Sequence, residues 1–239
     1  MIHPTAIIEE GASIAPDVEI GPFCLIGSEV TLKSGVSIAS HTTLRGKILI
    51  DEDVKIFSHV TMGHATSSIS IASKSHIREF VQISTHDDDS APVSIGKEVF
   101  IMAYVQLHAG VSIADRAILT NAVILHKNVE CGEKVIVGGL SSIGENLKIG
   151  TGVMIGGASH LKSSMPPFSL VEGNPASIKG LNTIGLRRRF ENIADIDAIK
   201  NAYKSIYKEG VDIQAASDII AKDANINGVT FAKFVVDNN

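Results

Sequence analysis

The chain has 239 residues, 44% of them apolar but only 5% aromatic, with no tryptophan and a formal charge of −5. This length allows one large domain or one domain with a small appendage, and the acidic balance argues against a general nucleic-acid binder. Two cysteines, Cys24 and Cys131, are too few and too distant for a disulfide framework and fit a reducing compartment.

In chain order, the opening stretch MIHPTAIIEEGASIAP lacks a basic start followed by an apolar run, so no signal peptide is expected. No run of about 18 apolar residues follows, so no membrane span is expected either. The expected location is the cytoplasm. From Ile2 an apolar residue recurs at every sixth position: Ile2, Ile8, Ile14, Ile20, Ile26, Leu32, Ile38, Leu44, Ile50, Ile56 and Met62. The phase slips at HATSSIS, resumes at Ile71, Ile77 and Ile83, slips again across STHDDDSAPVS, and then holds from Ile95 to Leu161. All 26 positions are apolar and 17 are isoleucine, which a chain of this composition does not produce by chance.

The residue four places after the apolar one is repeatedly valine, as at Val18, Val36, Val60, Val105 and Val135. The residue directly after it is often glycine, as at Gly21, Gly96, Gly132 and Gly138, which suits a sharp corner where the backbone takes positive φ. Helices repeat at three and four, and half-buried strands alternate at two. A period of six with a corner predicts a parallel β-helix of hexapeptide repeats, three short strands per coil. Residues 18 apart then stack on one face. The fold class expected is an all-β solenoid plus α: a left-handed parallel β-helix over 1–180, with a C-terminal helical domain over 181–239.

The two phase slips read as loops on one face, where insertions often bind ligands. Pro166 and Pro167 are expected to stop strand pairing. Beyond them, ENIADIDAIKNAYKSIYKEG places Ile196, Ile199, Tyr203, Ile206 and Tyr207 on one helical face, with Gly210 as a stop. DIQAASDIIAKDA and GVTFAKFVVDNN read as two more short helices. This tail is expected to cover the open end of the coil, whose unpaired edges would otherwise invite aggregation.

Several stretches resemble one family. IHPTAIIEEGASI, IGPFCLIG, IREFVQI, IMAYV, IADRAIL, IGGAS, PPFSLVEGNPASIKGLN and GLRRRF together resemble the acyl-carrier-protein–UDP-N-acetylglucosamine O-acyltransferases of lipid A biosynthesis. The resemblance implies a homotrimer with sites in clefts between neighbouring coils. It also implies an acyl thioester donor, acyl carrier protein or coenzyme A, and a nucleotide-sugar acceptor, with no bound cofactor or metal. In this reading Arg188 and Arg189 contact a phosphate or an acidic carrier protein, and Gly173 and Asn174 of VEGNPASIKG contact substrate.

Acyl transfer to a hydroxyl or amine needs a general base and an oxyanion donor, and histidine suits the base. The glycine corners offer backbone N–H groups for the oxyanion. The His-Asp pair that the family carries here falls on Ala109 and Gly110, with His108 one residue early. Further family histidines fall on Gln106, Asn128 and Gly144. The family's sugar-nucleotide loop is cut to HATSS, so an altered acceptor is expected.

Two histidines remain as candidate bases. His108 shares its hexad position with His126, expected to be a substrate contact together with Asn128. His86, with Asp87, Asp88 or Asp89 to orient it, resembles the base of acetyl-CoA-dependent sugar acetyltransferases. His41 and His59 stack by the same arithmetic, with His64 nearby, as in zinc carbonic anhydrases of this fold, yet a third ligand at the needed spacing is missing. Two alternatives stay open: a non-catalytic paralogue that binds a nucleotide sugar or carrier protein, and a metal-dependent hydratase.

Overall fold

A computed structural model of the chain describes residues 1–84, 91–207, 211–222 and 225–238. The expected left-handed parallel β-helix forms, from three sheets of nine, eight and ten strands. The first sheet runs from Ile7–Ile8 to His160–Leu161, the second from Ser13–Ile14 to Lys148–Ile149, and the third from Glu19–Ile20 to the strands Ser169–Gly173 and Ala176–Leu181. The chain visits the first, second and third sheets in turn, so each coil is a triangle and the stack is a three-sided prism.

Alternation within each strand explains the period. The hexad residue and the valine two places before it both point inward, and the residue between them points out. Val99 and Ile101, for example, are 1% and 0% exposed. Cα partners 18 apart stack in register, as with Phe100–Ile101 on Ile118–Leu119. Beneath the first coil nothing stacks, so Ile2 there is 45% exposed.

The corners work differently from the expectation. The left-handed backbone falls three places after the hexad residue, at Phe23, His41, His59, Tyr104, Asn128 and Asn146, with φ between 57° and 63°. The glycine directly after the hexad residue is there for close approach instead. A Cβ on Gly132 would sit 2.6 Å from Thr151 N, and one on Gly138 would sit 2.5 Å from Gly157 N. At those points the next coil's backbone occupies the space a side chain would need.

Pro166 and Pro167 do not end strand pairing. Met165 bridges Ile149, Ser169–Gly173 pairs in parallel with Met154–Ile155, and Ala176–Leu181 then returns antiparallel. The prolines fall on a corner, where no rung donor is required, and the Pro166 carbonyl accepts from the Ser169 hydroxyl at 2.8 Å. The third sheet is therefore finished by a hairpin rather than by the helices.

Four helices follow: α1 (Thr183–Arg189), α2 (Ile193–Ile206), α3 (Ile213–Lys222) and α4 (Ile226–Asp237). Asn182, Asn192 and Asn225 cap α1, α2 and α4, each side chain accepting a backbone N–H of the first turn. The helices form their own core from Leu186, Ile196, Ile199, Ile206, Ala216 and Phe231, which Phe168 of the coil joins. The stop expected at Gly210 lies outside the described residues.

Candidate active site

Strands Gln106–Leu107, Ile124–Leu125 and Ser142–Ile143 stack on the first sheet, just before the edge it shares with the second. Their register places His108 beside His126, one coil apart. The backbone N–H of His108 donates to Leu125 O at 3.0 Å, and that of His126 to Ile143 O at 3.1 Å. The two imidazoles meet at a tilt, with centroids 5.1 Å apart and planes at 48°. Nε2 of His126 lies 3.2 Å from the Ser142 hydroxyl. Ala109, where the resemblance puts the family base, is buried at 1% exposure. Gly110 has φ of 72°, and the Asn128 side chain occupies the space a Cβ would take there. Asn128 in turn donates to Asn146 Oδ1 at 3.0 Å. His108, His126 and Asn128 thus share one edge of the prism.

The remaining candidates lie elsewhere. Gly173 and Asn174 form the turn of the closing hairpin, where Gly173 N–H donates to Ser159 Oγ at 3.2 Å. Arg188 and Arg189 belong to the last turn of α1, where cations complement the carbonyl end of a helix. They rim a cleft of about 700 Å³ between α1 and the outer face of the third sheet. Ile118, Ile136, Met154 and Leu170 form its apolar floor, and Arg116 and Lys134 add to the basic rim. His86 and Asp87 to Asp89 lie outside the described residues.

One carboxylate ties this rim together. Glu133 accepts from Arg189 Nη1 at 2.9 Å and lies 3.7 Å from Arg116 and 3.5 Å from Lys134. Burial works to raise its pKa, but the hydrogen bond from Arg189 and the three cationic neighbours outweigh it and hold the carboxyl below its ordinary range. A depressed carboxyl stabilises the fold above its unfolded pKa and loses that contribution as pH falls through its folded one. The protection of the α1 amides against hydrogen exchange, taken relative to the intrinsic rate at each pH, is therefore expected to fall on acidification below the ordinary carboxylate range. In Glu133→Gln that protection is expected to be lower at neutral pH and to lose the acid response. An unchanged acid response in that variant would place its origin elsewhere.

The glycine corners do not supply an oxyanion donor as expected. Gly132, Gly138 and Gly144 N–H groups already donate to Ile149, Ile155 and Leu161 carbonyls at 2.8, 2.8 and 3.1 Å. These rung bonds hold one coil on the next. His41 and His59 stack at 4.8 Å within an exposed ring ladder that runs through Phe23, Phe80 and Tyr104. Among the described residues no three His, Cys, Asp or Glu side chains converge as metal ligands, and no helix is long and apolar enough to cross a membrane.

Comparison with known proteins gives this geometry its family. Residues 165–237 match the family model described as UDP N-acetylglucosamine O-acyltransferase, domain 2. An acyl-[acyl-carrier-protein]–UDP-N-acetylglucosamine O-acyltransferase of Campylobacter concisus is 33% identical over 99% of this chain and 94% of its own length. One from a Sulfurovum species is 35% identical over 98% and 94%. The chain belongs to the acyl-[acyl-carrier-protein]–UDP-N-acetylglucosamine O-acyltransferase family. Among solved structures, the UDP-N-acetylglucosamine acyltransferase of Campylobacter jejuni superposes with a TM-score of 0.92 at 30% identity, over 100% of this chain and 97% of that one.

The chain shares the coil of this acyltransferase family, and the resemblance puts the family's base at Ala109 and its phosphate contacts at Arg188 and Arg189. At the first phase slip the chain makes a turn in which His64 N–H donates to Ser67 Oγ at 3.0 Å. Sequence reasoning missed Ser142, Arg116, Lys134 and Glu133. A signal for Ser142 existed. On an 18-residue coil, a residue 16 further on lies one coil up and two places back, which is where a side chain leaning along the strand meets it.

Proposed function

We propose that this chain transfers an acyl group from an acyl-carrier-protein or coenzyme A thioester to a hydroxyl or amine of a UDP-linked sugar. The match to the acyltransferases over nearly the whole chain carries the reading. The basic rim of Arg116, Lys134, Arg188 and Arg189 suits a diphosphate or an acidic carrier, and the apolar floor beneath it suits an acyl chain. The histidine pair His108–His126 supplies the base. The reduced loop and Ala109 support an acceptor that differs from that of the named relatives.

The pair sits on the edge between the first and second sheets, opposite the third sheet that floors the cleft. One coil cannot bring both to the same thioester. An edge of one copy against a face of the next is a heterologous contact, which forms a ring when its rotation closes. The homotrimer is the ring this reading takes.

Purified chain, given acyl-carrier-protein and coenzyme A thioesters with a panel of UDP-sugars, is expected to release free thiol and acylated sugar nucleotide with at least one pairing. A second reading rests on the buried Ala109: a non-catalytic paralogue. UDP-sugar binding without transfer under any pairing would favour it.

A further inference from the structure

We propose that the base is Nδ1 of His126 and that Ser142, to which nothing in the family resemblance points, is its positioning residue; this rests on the acyl-transfer reading above. Ser142 pairs in register with Ile124 one coil away and presents its side chain outward. His126, two residues past Ile124, leans over that position, and its Nε2 meets the hydroxyl at 3.2 Å.

The direction of this hydrogen bond decides the chemistry. If the hydroxyl donated to Nε2, that lone pair would be consumed and Nδ1 would carry the ring proton, leaving no base. With Nε2–H donating to Ser142 Oγ, the Nδ1 lone pair remains to accept a proton. The same serine oxygen then accepts from Nε2–H before and after the ring is protonated, so nothing need reorganise during the step. The second restraint is the His108 ring, 5.1 Å away at 48°. One contact fixes the edge of the imidazole and the other packs a tilted ring against it.

In the transfer, the acceptor hydroxyl or amine attacks the thioester carbonyl and its proton passes to Nδ1 of His126. The C–S bond breaks as the carbonyl re-forms, and His126 returns the proton to the departing thiolate. The products are the ester or amide and a free thiol, with no oxidant or further reactant.

The test combines kinetics with nitrogen NMR of isotope-labelled histidine side chains in the intact chain. His126→Ala is expected to lower kcat by about a hundred- to ten-thousandfold. Ser142→Ala is expected to lower kcat about tenfold with KM unchanged, and Ser142→Thr, which keeps the hydroxyl, to restore it. In the wild-type chain His126 is expected to carry its proton on Nε2, and in Ser142→Ala to show both tautomers. Wild-type turnover with kcat of His126→Ala within about twofold overturns this proposal while leaving the transfer reading intact. An Nδ1–H tautomer in the wild-type chain overturns it too, as does loss of kcat in Ser142→Ala that threonine does not restore. If the wild-type chain turns over with no UDP-sugar, the transfer reading fails and the base role fails with it. The tautomer then reports whether the Ser142–His126 bond has the proposed direction.

Discussion

Ile101→Asp is expected to leave little soluble, cooperatively melting protein. Ile101 is 0% exposed and stacked between Ile77 and Leu119, which are equally buried. The column above and below it is apolar, so a carboxylate there would be desolvated with no cation to meet it. An unpaired buried charge costs several kcal/mol, a large part of the roughly 5–15 kcal/mol that holds a domain folded. Ile101→Val is the control for shape alone and is expected to cost about 0.5–1.5 kcal/mol. Soluble yield and thermal melting followed by circular dichroism separate the two. An Asp variant that melts within about 2 °C of the wild-type chain would show that this column does not hold the coil together.

The same column is why the fold was legible. A solenoid repeats one local solution, so a rule readable at Ile20 is readable again at Ile101 and Ile155, and the spacing of 18 that stacks them also placed His108 beside His126. Features that depend on what the next coil does at one point were not legible. Glycine after the hexad residue looked like a conformational requirement. It is a clearance requirement, visible only once Thr151 N or Gly157 N is placed against it. The rung bonds that occupy the glycine N–H groups follow from the same stacking and remove them as oxyanion donors. The closing hairpin was hidden because Pro166 and Pro167 read as breakers, although a corner tolerates them. Of the cleft rim, Arg188 and Arg189 were singled out by the resemblance, but Arg116, Lys134 and Glu133 come from two earlier corners that only the folded prism gathers beneath α1.

The histidine edge and the arginine cleft lie on opposite sides of each prism, so in the trimer proposed above a shared site would take its histidines from one copy and its arginines from a neighbour. Two chains, one carrying His108→Ala with His126→Ala and the other Arg188→Glu with Arg189→Glu, are each expected to lose activity about a hundredfold or more, since one lacks the base and the other repels a phosphate. Co-expressed in equal amounts, they are expected to recover about a quarter of wild-type activity, because half of the edges and half of the clefts are intact and each edge meets one cleft in a closed ring. Equal recovery with the four substitutions placed in a single chain and mixed with wild type would carry no such pairing signature. The complementing pair is therefore the decisive mixture. Failure of it to exceed the two parents, with mixed assemblies confirmed by mass spectrometry, would sink the shared site and return the chemistry to a single coil.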